Sequence, residues 1–287
     1  MDKIIILRKN KDIFLTKYDI VKKCLKVDNR NLIFRILIKL KFPISFFFGK
    51  WKKNIKNCDK VIIFDNIYND QLTKYIKKKN PQIKIILWYW NSIVEYNNQN
   101  IAKDDSYIDE IWTYNRFDAK DYGLKYNPQF YSKKIKSVNT NIQNDIIFMG
   151  RDKGRKEELI NLKDSFNGLN LQTEFIIIEK EKDLITYDSY VEKVLKSKCI
   201  LDYGNFEYCG LSLRPLEALF LKKKLITNNK DIINYDFYNK NNIFVLGIDD
   251  MAKLNEFVNS KYIEIEQKII DKYDFDNWLK RFDEGKW

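Results

Sequence analysis

The segment with the strongest chemical potential is Cys199–Asn229, which reads CILDYGNFEYCGLSLRPLEALFLKKKLITNN. An apolar strand is expected to end at Asp202, and a loop containing Gly204 and Gly210 follows. A helix is expected to begin near Leu213 and to carry Arg214 and Glu217 in its first turns. In open α/β sheets, ligands bind beyond the carboxyl ends of the strands. A glycine loop feeding a helix N terminus offers unbonded backbone N–H groups to an anion, here from Gly210, Leu211 and Ser212. Arg214 adds a bidentate phosphate contact, and Glu217 can accept from ribose hydroxyls. The plainer alternative makes Arg214 and Glu217 an ordinary solvated helix start.

A second chemical segment is Ile146–Lys156, IIFMGRDKGRK. Gly150 lets backbone approach a ligand. Arg151, Lys153 and Arg155 supply cations suited to a departing phosphate group. Basic residues at a helix start oppose the helix dipole, which favours an anion there over plain solvation. Glu179 closes a further strand, Thr173–Ile178. In the first half, expected strand ends present Asp65 and the run Trp88–Asn91. Asp65 and Glu95 are the carboxylates of that region placed to act as a base.

These groups need a scaffold, and the pattern supplies one. The chain has 287 residues, 45% hydrophobic and 15% aromatic, enough for a sizeable core of about two domains. Apolar runs at Lys3–Leu7, Lys60–Phe64, Ile83–Trp88 and Ile108–Thr113 alternate with helical stretches at Asp70–Lys78 and Arg116–Tyr122. The series restarts with strands at Asp145–Met149, Thr173–Ile178, Cys199–Asp202, Lys224–Thr227 and Ile243–Leu246. Helices are expected at Lys153–Leu162, Tyr187–Lys196, Leu213–Leu221, Met251–Asn259, Glu264–Tyr273 and Phe275–Phe282. Alternation of this kind implies α/β architecture with parallel sheets. Two series imply two Rossmann-like halves, joined near Ser137–Gln143.

Composition excludes several chemistries. The chain has no histidine, so a Ser-His-Asp triad, a histidine base and histidine-ligated zinc are ruled out. The four cysteines, Cys24, Cys58, Cys199 and Cys209, lack metal spacing and are too scattered for a disulfide framework, which points to a reducing, cytoplasmic compartment. The apolar run Ile4–Leu7 breaks at Arg8, so neither a signal peptide nor a membrane span is expected. No cofactor or metal site is expected. The net charge of +12 raises nucleic-acid binding as an alternative, yet no nucleic-acid motif appears and the charge is spread along the chain.

The Cys199–Asn229 segment resembles the donor-binding element of bacterial GT-B glycosyltransferases, which build lipopolysaccharide and capsule. Gly210, Leu216, Glu217, Ala218, Leu219 and Lys224–Ile226 fit its pattern; Cys209 stands where the family has its first glutamate, leaving Glu207 as a substitute. The Ile146–Lys156 segment resembles the first strand and loop of the family's C-terminal domain. The resemblance spans about Asp145 to Asp250. It implies two Rossmann-like domains facing across a cleft: an acceptor domain at 1–138, a nucleotide-sugar domain at 139–270, and a helix at 271–287 returning to the first. It implies a nucleotide-sugar donor held by Gly150, Arg151, Glu179, Gly210, Leu211, Ser212, Arg214 and Glu217, with Lys153 and Arg155 at the diphosphate. Trp90, Asn91 and Ser92 are the corresponding acceptor contacts. Retention is slightly favoured, because the departing phosphate can take the acceptor proton. A non-catalytic member of the fold is the alternative raised by Cys209.

Residues Asn31–Lys56 read NLIFRILIKLKFPISFFFGKWKKNIK. Basic residues interleave with apolar ones, and Phe46, Phe47, Phe48 and Trp51 form an aromatic group. Such a segment suits anionic lipid headgroups. With the resemblance, it implies a peripheral protein on the inner face of the cytoplasmic membrane and a lipid-linked glycan acceptor. The competing expectation is a core helix and a loop.

Overall fold

The computed structural model describes residues 3–9, 15, 17–27, 31–40, 42–93, 102–135, 140–207 and 209–285. Two parallel sheets organise these residues, and each belongs to its own compact unit. The first unit comprises Met1–Pro128 with Tyr208–Gly210 and Arg281–Trp287; the second comprises Gln129–Glu207 and Leu211–Lys280. The chain passes from one unit to the other after Pro128.

The first sheet contains β1 (Ile4–Arg8), β2 (Val21–Lys23), β3 (Lys60–Phe64), β4 (Lys84–Tyr89), β5 (Glu110–Thr113) and β6 (Lys125–Tyr126), in the order β2-β1-β3-β4-β5-β6. Its ladders are all parallel. β3 is buried along its whole length, as expected of a parallel strand covered on both faces. The same elements carry α1 (Leu32–Lys39), α2 (Asp70–Lys79) and α3 (Arg116–Tyr122). α2 starts where the Asn69 side chain accepts from the Leu72 N–H. α3 starts with the Asn115 side chain accepting from the Phe117 N–H and ends at Gly123, whose φ of 62° is left-handed.

The second sheet contains β7 (Asn144–Arg151), β8 (Thr173–Ile178), β9 (Ser197–Asp202), β10 (Lys224–Thr227) and β11 (Ile243–Val245), in the order β11-β10-β9-β7-β8. Its helices are α4 (Lys156–Gly168), α5 (Tyr187–Leu195), α6 (Leu213–Phe220), α7 (Leu254–Asn259), α8 (Gln267–Lys272) and α9 (Phe275–Glu284). In each sheet the first strand lies between the second and the third. The strand order therefore reverses beside β1 in one sheet and beside β7 in the other, and such a reversal opens a crevice at the carboxyl ends of the strands.

The sequence pattern located most strands to within two residues but not the short edge strands β2 and β6. The helix expected at Lys153–Leu162 begins later, at Lys156, because Lys153 and Gly154 both take left-handed backbone, with φ of 51° and 79°. The expectation of a basic residue cluster inside a first helical turn is therefore corrected. Arg155 is the N-cap residue, and the first turn carries Glu157 and Glu158, which suit the dipole.

The Asn31–Lys56 segment is also corrected. Its helix is confined to Leu32–Lys39, and three 3-10 turns follow. Phe48 and Trp51 do not join a surface aromatic group. They are buried in the core of the first unit, with ring centroids 5.1 and 6.2 Å from Tyr75. The Trp51 indole N–H donates to the Cys24 carbonyl at 2.8 Å, as a buried tryptophan requires. Replacing Trp51 with Ala leaves a large cavity and takes from the Cys24 carbonyl one of its two donors, the other being the Gly49 N–H at 2.8 Å. A loss of about 3–5 kcal/mol is expected, measured by urea unfolding; a loss near zero would return Trp51 to the surface.

Candidate functional site

The crevice of the second sheet opens where β7 and β9 part. β7 pairs with β8 as far as Arg151 against Ile178, but with β9 only as far as Ile147 against Ile200. β9 continues alongside β10, Asp202 beside Thr227. Beyond the last β7–β9 pair, two arginines supply the donors that the ladder lacks. Arg214 Nη2 donates to the Met149 carbonyl on β7, and Arg155 Nη1 donates to the Tyr203 carbonyl just after β9. Arg155 Nη2 reaches the Arg151 carbonyl at 3.2 Å. Both guanidinium carbons lie 5.5 Å from the centroid of the Phe148 ring, which carries them as a cation–π platform.

A side chain at either of two glycines would displace a guanidinium from its place. A Cβ on Gly150 would lie 2.8 Å from Arg214 Nη2 and 3.4 Å from Arg155 Nη2. One on Gly204 would lie 2.9 Å from Arg155 Nη1. Asn228, at the end of β10, holds the Gly204 peptide on both sides, accepting its N–H at 3.0 Å and donating to its carbonyl at 2.8 Å.

Asp202 is fully buried and faces Arg214 at 3.5 Å. Ser212 Oγ donates to it at 3.0 Å and Thr227 Oγ1 at 3.4 Å. Burial pushes the Asp202 carboxyl up, opposed by Arg214, Ser212 and Thr227. At Arg214, burial weighs against the charged form, and Asp202, Tyr190 and Glu217 together more than offset it, so the guanidinium sits above its ordinary value. Arg155 has no such close partner. Burial, then repulsion by Arg214, pull it below the ordinary value although Asp202, Asp152 and Glu158 act the other way. Its Nε is buried without a hydrogen-bond partner. Two guanidiniums with one paired carboxylate form a site that an anion would relieve.

Two helices begin beside this cluster. Arg155 precedes α4 and Ser212 precedes α6, and neither end has a side-chain cap. Ser212 is the residue type that caps helices, but its hydroxyl is turned to Asp202. The first-turn N–H groups of both helices are thus without a side-chain acceptor.

Of the residues singled out from the sequence, the structure brings together Gly150, Arg155, Ser212 and Arg214. Arg151, Lys153, Glu179 and Glu207 are exposed. Arg151 lies 3.8 Å from Glu181, and Glu179 pairs with Lys156 at 2.7 Å. Leu211 is fully buried. Gly210 clusters with the first unit, against the Tyr114 ring and the Asn115 backbone.

Glu217 is neither a solvated helix residue nor turned toward an open surface. It is 2% exposed, and its two oxygens accept from Tyr187 Oη at 2.9 Å and Tyr190 Oη at 2.7 Å. Tyr187 Oη, its proton committed to Glu217, lies 2.7 Å from Tyr131 Oη and accepts from it. A ribose hydroxyl would have to displace one of these phenols.

In the first unit, the reversal beside β1 gathers Arg8, Phe64, Asp65, Trp90 and Asn91. The Arg8 guanidinium lies 5.3 Å from the Phe64 ring centroid and 5.5 Å from that of Trp90. Asp65 accepts from the Trp90 N–H at 3.1 Å and from Asn91 Nδ2 at 2.9 Å. Burial raises its pKa against these bonds. Ser92, expected to meet a ligand, is 1% exposed and bonded by Asn115 Nδ2 at 3.1 Å. Glu95 lies outside the described residues. Among the described residues no three of His, Cys, Asp or Glu converge as metal ligands.

Sequence reasoning overlooked Phe148, Asn228 and the counter-ion role of Asp202. An acidic residue closing an apolar strand directly before a glycine loop was the available signal for Asp202. Nothing in the sequence spacing marks Phe148 as a platform.

Glu217 gives a pH test. Burial, outweighing the Tyr190 and Tyr187 bonds, raises its pKa above the ordinary 4.5. The unfolded chain therefore loses this proton first as pH climbs, binds fewer protons than the folded chain, and gains ground. This contribution to stability is present below pH 4.5 and is lost as pH rises through the folded value. Glu217→Gln should make the fall in Tm above that pH shallower; identical slopes would show that the carboxyl is not desolvated.

No family model matches the chain, and no curated protein matches it. Among solved structures, a glycosyltransferase from Rickettsia africae ESF-5 is similar at 12% identity and a TM-score of 0.45, covering 98% of this chain and 88% of its own. An NAD+-bound 3-phosphoglycerate dehydrogenase from Entamoeba histolytica has 12% identity and a TM-score of 0.24, covering 100% of this chain and 97% of its own. At overlaps this loose, function rests on the chain's own residues.

Proposed function

We propose that the chain is a glycosyltransferase of the two-domain GT-B kind that uses a nucleotide-sugar donor. The carrying observation is the pair Arg155 and Arg214, held together at the opening between β7 and β9 with Asp202 as the one buried carboxylate ion-paired there. A nucleoside diphosphate meets this arrangement well. It is planar-donor recognition of phosphate oxygens beside two uncapped helix starts.

In this reading the bond between the sugar's anomeric carbon and the diphosphate oxygen breaks, and a bond to an acceptor hydroxyl oxygen forms. Negative charge grows on the departing diphosphate, and the two guanidiniums stabilise it where it develops. The acceptor proton passes to the departing phosphate if configuration is retained, which is the favoured course. Asp65, raised by burial, is the base if configuration is inverted. The acceptor belongs with the first unit's Trp90 and Asn91, and a surface glycan on a lipid carrier is the proposed class.

Arg214→Ala should weaken UDP or GDP binding roughly ten- to hundredfold, since charged hydrogen bonds contribute about 1.5–3 kcal/mol each. Titration calorimetry measures this, and equal affinities would overturn the donor site. Arg155→Ala should lower kcat more than donor affinity, because its charge matters most as the diphosphate leaves. With the leaving charge met by arginines, transfer is expected to persist in EDTA; loss in EDTA with recovery on adding Mn²⁺ would overturn this mechanism.

A further inference from the structure

The two sheets end in four edge strands, and three of them are short. β2 and β11 have three residues each and β6 has two. The fourth, β8, has six and reads TEFIII. A long apolar edge offers its backbone groups to another strand, and proteins normally guard such an edge with proline, a bulge or an outlying charge. β8 has none of these. Its register with β7 runs unbroken from Ile146 against Thr173 to Arg151 against Ile178, which leaves no room for a bulge. Its one charged residue, Glu174, is drawn back by Lys193 at 2.6 Å and by Asn144 Nδ2 at 3.0 Å.

The ladder decides which groups are left over. The Ile146 N–H donates to the Gln172 carbonyl at 3.1 Å and the Asp152 N–H to the Ile178 carbonyl at 3.0 Å. In a parallel pair alternate residues of a strand turn to the neighbour, so Glu174, Ile176 and Ile178 spend their backbone on β7. Thr173, Phe175 and Ile177 turn their N–H and C=O outward, and none of these groups has a hydrogen bond among the described residues. The strand that carries them is held firmly. The Phe175 ring lies 5.6 Å from Phe148 and 6.4 Å from Phe166, so little ordering is left to lose on pairing.

This edge is complementary to itself. A two-fold axis at Phe175 sets two copies of β8 antiparallel, Phe175 opposite Phe175 and Thr173 opposite Ile177 of the second copy. Each such pair exchanges two bonds, so every outward group of both edges is satisfied at once. Moving the axis by one residue would set outward groups against groups already spent on β7. Charge agrees with a second copy as the occupant. In the same register Glu174 faces Ile176, Glu179 faces Leu171 and Lys180 faces Asn170, so no like charges meet across the axis. A foreign peptide would find no charged row on this edge to select it. We infer that β8 is an interface between two copies of this chain, which joins their five-stranded sheets edge to edge through Thr173, Phe175 and Ile177. Such an isologous contact closes on itself and ends at a dimer. The inference does not rest on the donor site.

Sedimentation of the whole chain over a wide range of concentration tests the state, and hydrogen exchange tests the surface. Wild type should pass from monomer to dimer as concentration rises. The amides of Thr173, Phe175 and Ile177 should gain protection over the same range, while those of Glu174 and Ile176 are protected throughout. Thr173→Pro and Ile177→Pro each remove an outward N–H and leave the bonds to β7 in place. Each should weaken the dimer by roughly tenfold or more, since two bonds are lost per dimer. If a proline variant does not fold, the concentration dependence of exchange in wild type still decides. A monomer up to millimolar concentration would overturn the inference. So would a dimer in which exchange at 173, 175 and 177 is independent of concentration, or one that folded proline variants form equally well.

Discussion

Two like charges held side by side at a gap in a sheet set the terms for the second unit. Guanidiniums repel, and Arg155 and Arg214 share one aromatic ring. They stay because each donates to a backbone carbonyl that the parting of β7 and β9 leaves outside the ladder. A carbonyl turned inward without a donor is costly, so the pair has a structural role besides its charge. Removing either arginine opens the sheet edge as well as removing charge.

The surroundings follow from that arrangement. Two glycines clear the volume the guanidiniums occupy. Asn228 holds the Gly204 peptide through both its N–H and its carbonyl. Asp202, with Tyr190 and Glu217, holds Arg214 above its ordinary value, whereas burial and Arg214 leave Arg155 below its own. The consequence is an asymmetric pair: Arg214 is anchored, and Arg155 retains unmet donor capacity. That asymmetry matches a division of labour in which one arginine binds a phosphate group and the other answers the charge that grows on it.

Local rules explain what was legible in the sequence. β3 is an apolar run with both faces covered, and α3 is bracketed by an asparagine cap and a left-handed glycine; both were visible in a few neighbouring residues. Gly150 and Arg214 could be picked out as candidates for the same reason, since a glycine loop and a helix start are local signals. What was not legible depends on partners far along the chain. Glu217 is buried by Tyr187 and Tyr190, one helix earlier. Trp51 is placed by Cys24 and Tyr75, which flank it from both directions in sequence. Ser92 looks like a loop hydroxyl until Asn115 is brought against it. The start of α4 failed for a different reason: a lysine with positive φ is rare enough that no propensity argument anticipates it.

The two sheets make the same arrangement twice and use it differently. Each reverses strand order beside its first strand, and each sets arginine over phenylalanine at that point: Arg8 on Phe64 in one, Arg155 and Arg214 on Phe148 in the other. In the first unit Arg8 as a whole residue is 7% exposed, and a second ring, Trp90, lies 5.5 Å from its guanidinium carbon. In the second no other ring covers the pair among the described residues, and the Arg214 side chain remains 22% exposed. Desolvation makes a closed arginine a poor site for a ligand that must arrive with its own hydration, whereas a partly open pair can exchange water for phosphate oxygens. On the proposed reading, that difference in closure, rather than the presence of arginine, is the reason to place the anion at the second sheet and a neutral, hydroxyl-bearing partner beside Asp65, Trp90 and Asn91 of the first.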